Sequence, residues 1–156
     1  MFFKKKVIVV LLLLQCNVNV YAQAKNTFLE LGGPGLLSFN YDQRFTKSQR
    51  GFGGRIGAGG YHLDGATAVY LPVAVNYLAG KKEGKHYLEL GAGVTKVFGT
   101  PLDDDMDFSR PFTFLNIGYR LQPRAKGFLF RAVYSPILGK RFTGALFAGI
   151  SFGYKF

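Results

Sequence analysis

The sequence of 156 residues is poor in several residue types: it has no tryptophan, one cysteine, 2 histidines, 6 prolines and only 9 acidic residues against 20 lysines and arginines. With one cysteine, an internal disulfide is impossible and a cysteine-rich metal site is excluded. The longest apolar run, residues 7–14, is far shorter than the roughly 20 residues that a transmembrane helix needs. A hydrophobic fraction of 48%, with 21 glycines, excludes a disordered chain.

The first residues have the features of a secretory signal peptide. A basic stretch precedes the apolar run, and small residues follow it at Ala22 and Ala24. We therefore expect a leader over 1–22, cut after Ala22 with Ala24 as the alternative, and one domain over 23–156. A retained anchor helix and a lipoprotein acylated at Cys16 are the competing interpretations.

The net charge of +11 raises the question of nucleic-acid binding, which requires lysine and arginine clustered on one face beside stacking aromatic residues. Here the basic residues instead fall in short turns at 46–50, 79–85 and 122–127, whereas four aspartates share the loop 98–110. We therefore expect no nucleic-acid partner. Basic and acidic connections alternate along the chain, which indicates two chemically different sides.

Between these turns, large apolar residues alternate with small or polar residues, which is the two-residue period of a β-strand. The segments are about ten residues long, which suits a tilted strand that crosses a bilayer. In a soluble barrel the apolar rows would point inward, but here the opposite rows combine glycine with sparse, regular charges. We therefore expect the apolar rows to face lipid. The seven segments are 36–45, 51–61, 67–78, 86–97, 111–121, 128–135 and 143–156.

Seven strands would be an odd number, whereas single-chain bacterial outer-membrane barrels have an even number. The run 27–31, which reverses at the turn residues 32–35, supplies the eighth strand. One long kinked strand over 27–45 is the alternative. The predicted fold is all-β, an eight-stranded antiparallel up-and-down transmembrane β-barrel.

With eight strands, the basic turns lie at the inner end and the loops 32–35, 62–66, 98–110 and 136–142 at the outer end. Aromatic residues then form two belts at the membrane interfaces, as is typical of such barrels. The inner belt contains Phe45, Tyr77, Tyr119, Tyr154 and Phe156, and the outer belt contains Tyr61, Tyr70, Phe112 and Tyr134.

The polar rows place opposite charges near each other in the lumen. Hairpin geometry brings Asp42 close to Arg55 and Glu89 close to Arg120, which favours cross-strand ion pairs with a structural role. An eight-stranded barrel has room for little besides its own side chains, so we expect a filled lumen. Unpaired charges in a water-filled channel are the alternative.

No catalytic or metal-binding constellation is present. His62 and His86 fall at opposite ends of the predicted barrel, and no serine lies near either. Clustered aspartates at 103–107 favour hard cations, but Phe108 stands where an EF-hand loop has glycine, so a solvated acidic loop is the simpler interpretation. We expect no catalytic activity, metal or cofactor.

Several motifs carry a family resemblance: ELGGPG at 30–35, LELGAG at 88–93, NIGYR at 116–120 and GYKF at 153–156. The chain is similar in outline to small eight-stranded outer-membrane barrels of Gram-negative bacteria, and it resembles more specifically a group of outer-membrane β-barrel proteins of Bacteroidota. The resemblance implies a location in the lipid of the cell outer membrane. It also implies that Tyr154 and Phe156 resemble the signal read by the outer-membrane assembly machinery. No established active or binding residues of that group can be carried over.

The sequence thus favours an integral outer-membrane barrel with a side-chain-filled lumen and a structural or surface-interaction role, whose extracellular partner it does not identify. One alternative is a small channel for ions or solutes, lined by Arg44, Arg55, Arg120 and Arg131. A second alternative is a secreted lipocalin-like barrel that binds an apolar ligand inside.

Overall fold

The computed structural model describes residues 23–63, 65–100, 111–138 and 148–156. No helix in this part of the chain is long and apolar enough to cross a membrane. Its strands are β1 (Lys25–Gly32), β2 (Leu37–Arg44), β3 (Gly51–Leu63), β4 (Ala66–Gly80), β5 (His86–Thr100), β6 (Phe112–Leu121), β7 (Gly127–Tyr134), β8 (Ile137–Leu138) and β9 (Ala148–Lys155).

The strands close into a single barrel. Each strand pairs antiparallel with its neighbours, and the pairings of β5 with β6 and of β1 with β9 complete the circle. The two-residue β8 follows Pro136 and pairs with β6 just beyond β7, so β7 and β8 occupy one position in the wall. The wall therefore has eight positions, and the predicted eight-stranded antiparallel barrel is confirmed.

The first hairpin decides between the two interpretations of residues 27–45. The strands β1 and β2 pair from Lys25 opposite Gln43 to Leu31 opposite Leu37. A short 3-10 turn over Gly33–Gly35 separates them. The single kinked strand is thus wrong, because the glycines reverse the chain completely.

We call the end of the barrel that carries Lys25 and Lys155 the proximal end, and the opposite end the distal end. The three connections at the proximal end span 45–50, 81–85 and 122–126, and all contain lysine or arginine. Residues 1–22, with the expected cleavage site at Ala22, lie outside the described residues. So do 101–110 and 139–147, which hold most of two expected distal loops.

The apolar rows of the strands lie on the outside of the barrel. Large apolar side chains in these rows, from Leu71 at 36% to Phe52 at 58%, are exposed, and they occur on every long strand. The alternate residues of the same strands are buried inside. This arrangement is the one predicted from the alternation, and it is opposite to a lipocalin-like barrel that would enclose those rows.

Three residues expected in the outer aromatic belt face the inside of the barrel instead: Tyr70, Phe112 and Tyr61, which is partly buried and packs against Tyr70. Tyr70 is 1% exposed and Phe112 is 6% exposed. The reason is strand parity: Val69 and Leu71 point outward on β4, so the residue between them must point inward. Each aromatic side chain follows the alternation of its strand, and the expected outer belt is wrong at these three positions.

Backbone crowding at the seam between β1 and β9 gives a testable contrast. Gly32 and Gly65 have nearly equal positive φ angles of 77° and 78°. A Cβ atom at Gly32 would overlap the backbone carbonyl oxygen of Ala148, whereas nothing lies within 4 Å of one at Gly65. We expect Gly65→Ala to lower the free energy of unfolding by about 1–2 kcal/mol through backbone strain alone. Gly32→Ala should cost at least about 1 kcal/mol more, because β9 must shift and because Gly32, with a ψ of −159°, lies in a backbone region that is essentially restricted to glycine.

Urea unfolding of the refolded barrel measures both values. Equal losses for the two variants would mean that the seam is loose enough to admit the extra methyl group.

Candidate functional site in the barrel interior

A network of charged side chains fills part of the barrel interior. Each member sits on an inward row, and each has a side-chain exposure of 0%. Six strands contribute to it, and the pair Arg120–Asp42 joins β6 to β2 on the opposite side of the barrel. In order of contact its members are Arg44, Asp42, Arg120, Glu89, Arg131, Glu30 and Arg55, and the linking distances lie between 2.7 and 3.3 Å.

Asp42 is one centre of this network. Its Oδ1 accepts hydrogen bonds from Arg120 Nη2 at 2.8 Å and Asn26 Nδ2 at 3.2 Å. Its Oδ2 accepts from Arg44 Nη2 at 2.8 Å and Asn76 Nδ2 at 2.7 Å. Four donors therefore compensate the loss of water around one buried carboxylate.

Glu89 and Arg131 form the closest charge pair of the network. Arg131 donates from Nη2 to Glu89 Oε1 at 2.7 Å and from Nε to Oε2 at 3.0 Å, which is the bidentate arrangement that guanidinium and carboxylate groups favour. Arg131 Nη1 also reaches Glu30 Oε2 at 2.8 Å, and Arg120 Nη1 reaches Glu89 Oε2 at 3.3 Å. Removing any member except Arg44 and Arg55, which stand at the two ends of the network, therefore affects at least two others.

Two ion pairs were expected in the lumen, Asp42 with Arg55 and Glu89 with Arg120. Glu89 and Arg120 are in contact. Asp42 and Arg55 lie directly opposite each other on β2 and β3, in agreement with the hairpin geometry. Their side chains nevertheless take other partners: Arg55 Nη1 donates to Glu30 Oε2 at 2.9 Å. The physical reason is that both oxygens of Asp42 are already occupied by other donors.

Glu30 is the one member of the network that the sequence did not place in the lumen, and Arg44 and Arg131 were expected there only as the lining of a channel. Glu30 connects Arg55 and Arg131, which lie on opposite sides of β1 around the wall. The alternation along β1 could have identified Glu30: Leu29 and Leu31 point outward, so the carboxylate between them must point inward.

The network carries one more positive than negative charge, since four arginines face three carboxylates. Aromatic rings contact two of these arginines. Arg131 Cζ lies 4.5 Å from the ring centroid of Phe28, and Arg55 Cζ lies 5.7 Å from that of Phe114. Ring faces attract guanidinium groups, so these contacts offset part of the excess charge.

An apolar cluster fills the interior on the distal side of the network. Phe114 belongs to it and touches Arg55, so the polar and apolar layers are in contact. Sequence reasoning expected small and polar residues along the whole lumen and did not foresee this layer. Its buried members are Ala68, Tyr70, Ala74, Val97, Phe112, Phe114 and Ile137.

The described residues contain no group of three or more histidine, cysteine, aspartate or glutamate side chains placed to hold a metal ion. His62 lies near the distal end of β3, and His86 begins β5 at the proximal end. The carboxylates of the interior are held by arginine instead. The ion pairs Arg120–Asp42 and Arg131–Glu30 join different strands of the wall across the interior.

No protein-family model matches this sequence, and no curated protein matches it. Among solved structures, the N-terminal β-barrel domain of OprF from Pseudomonas aeruginosa is similar, with a TM-score of 0.58 and 13% sequence identity. The match covers 86% of this chain and 96% of that domain. The two chains share a fold. At this identity the likeness concerns the closed barrel, and the interior network rests on the residues of this chain alone.

Proposed function

We propose that the chain is an integral outer-membrane β-barrel with a filled lumen that serves as a structural or surface-interaction element. The observation that carries this proposal is the inversion of polarity across the wall. Side chains such as Ile56, Val73 and Ile150 are 47–57% exposed on the outside. The charged residues Glu30, Asp42 and Arg131 are 0% exposed on the inside. In water this arrangement would expose far more apolar surface than soluble proteins tolerate, whereas in hydrocarbon it is favourable.

The proposed filling of the lumen rests on two stacked layers. The ionic network spans the interior from wall to wall, and Phe114 packs against it from the distal side. The side chains of both layers are nearly or completely buried. This favours a closed interior over the alternative of a channel lined by Arg44, Arg55, Arg120 and Arg131, because all four guanidinium groups have carboxylate partners.

Location and biogenesis form part of the same proposal. Residues 1–22 would be removed after Ala22 on export, and outer-membrane lipid would surround the barrel. Tyr154 and Phe156 lie on the outward row of β9, where they are 51% and 48% exposed and accessible to an assembly machinery. Membership of the Bacteroidota group rests on the motifs quoted above, and the fold likeness to another small barrel supports the outline.

Membrane fractionation of a Gram-negative host that expresses the full chain tests the proposal. We expect the protein in the outer-membrane fraction, extractable with detergent and not with urea or high salt. Unheated samples should migrate differently from boiled samples on gels, because a closed barrel resists the detergent until it is heated. Recovery of folded protein in the soluble periplasmic fraction would contradict the proposal.

Conductance in planar bilayers then separates a filled lumen from a channel. The purified barrel should insert without discrete conductance steps. Steps that disappear in Arg120→Glu would instead assign a channel function to the interior.

A further inference from the structure

A cavity of about 580 Å³ opens at the proximal end, beside the seam between β1 and β9. Its volume lies within the range of sites that bind small molecules and headgroups. We call this cavity the basic cup. It is lined by five cations, Lys25, Lys47, Arg124, Lys126 and Lys155, and also by Gln49 and Phe156.

Hydrogen bonds between two proximal turns fix the wall of the basic cup. Gln49 Nε2 donates to the backbone oxygen of Arg124 at 3.0 Å, and Gln122 Nε2 donates to Gln49 Oε1 at 3.0 Å. From β9, Lys155 Nζ donates to the backbone oxygen of Pro123 at 3.0 Å. The turn 122–126 is thus tied to both of its neighbours, and the cup is a preformed concavity.

All charged side chains that the structure describes in the lining of the basic cup are positive. Five of its lining residues are lysine or arginine, and none of the lining residues that the structure describes is acidic. Glu83 forms an ion pair with Arg124 at 3.5 Å, between side chains that are 77% and 63% exposed. Such an exposed pair is weak. The cup therefore presents a concentrated positive potential that favours an anion with more than one negative charge.

The basic cup is continuous with the apolar exterior of the barrel. Phe156 lines the cup, and it also extends the outward row of Phe152 and Tyr154 on β9. A soluble anion would make no contact with this apolar row. A molecule with an anionic headgroup and apolar tails would place its phosphates in the cup and its tails along that row.

We propose that the basic cup binds the headgroup of an anionic phospholipid that carries two phosphates. Among the described residues, Lys25 and Lys126 have no acidic partner, so a headgroup with two phosphates gives each of them a counter-charge, which a single phosphodiester cannot do. This inference rests on the proposed function, because only a barrel embedded in a bilayer meets such a lipid at this depth.

Native mass spectrometry of the detergent-solubilised full chain tests the inference, with cardiolipin, phosphatidylglycerol and phosphatidylcholine as probes. Cardiolipin should bind most tightly. Because each cation near a membrane surface contributes about fivefold to such binding, the double variant Lys25→Gln with Lys126→Gln should bind cardiolipin about 25-fold more weakly.

The matched control is the double variant Lys81→Gln with Lys82→Gln. It removes the same charge from another proximal turn that does not line the cup, and it should bind cardiolipin as the unmodified protein does. Equal weakening of both double variants would overturn the inference, as would equal binding of cardiolipin and phosphatidylcholine. Displacement of cardiolipin by inorganic phosphate at similar concentration would assign the cup to free phosphate instead.

Gel mobility of unheated samples shows separately that each variant is folded. A barrel that fractionates with the membrane but shows no lipid preference would refute only this inference. A chain found folded outside the membrane would refute the proposed function itself.

Discussion

Replacing Glu89 by glutamine is expected to lower the free energy of unfolding of the barrel by about 3–5 kcal/mol, because it removes one partner from a buried ion cluster. The carboxylate of Glu89 binds Arg131 at 2.7 and 3.0 Å and Arg120 at 3.3 Å. Glutamine keeps the shape but not the charge, so both guanidinium groups lose a counter-charge in an interior without exposed surface. Urea unfolding of the refolded barrel, followed by gel mobility, gives the value.

A double-mutant cycle shows whether the loss comes from the charge pair. Arg131→Met removes the opposite charge, and the double variant returns the network to its original charge balance. We expect the double variant to cost less than the sum of the two single variants, with a coupling of roughly 1–3 kcal/mol. The exposed Lys82→Gln is the control and should stay within about 0.5 kcal/mol. Additive losses would mean that Glu89 contributes independently of Arg131, for example through Arg120.

Local alternation made most of the wall predictable from the sequence. Side chains on a strand alternate strictly, so the position of Val73 fixes the directions of Ala74 and Asn76 without knowledge of the neighbours. The same rule identified Asp42 and Arg55 as neighbours across one hairpin, because a short turn determines the register. These inferences need only contacts that are close in sequence.

Contacts across the lumen could not be predicted in this way. Arg131 and Glu30 are 101 residues apart, and they meet only because the barrel closes between β1 and β9. An arginine side chain is long enough to choose among several carboxylates, and the choice depends on which acceptors are already occupied. Arg55 binds Glu30 because the oxygens of Asp42 already accept four hydrogen bonds. Those donors come from several strands, so the choice depends on the whole interior.

The substitution Val73→Arg is expected to lower the free energy of unfolding by roughly 2–4 kcal/mol, and Ile117→Arg should do the same. Both side chains point outward, with exposures of 48% and 47%, and both lie in the middle of their strands. In hydrocarbon, a guanidinium group at this depth must be dehydrated or must bend toward the interface. In water, an arginine at an exposed position would change stability by no more than about 0.5 kcal/mol.

Two control variants show whether the cost of Val73→Arg comes from side-chain volume or from placing a charge deep in the bilayer. Val73→Leu adds volume without charge and should be nearly neutral. Leu37→Arg places the same charge on the outward row of β2, at the distal start of that strand. Because Leu37 lies near the distal end, the cost of this variant should fall to about 0–1 kcal/mol. Equal costs at both depths, or no cost at either, would contradict a lipid-facing exterior, since only a bilayer imposes a penalty that varies with depth.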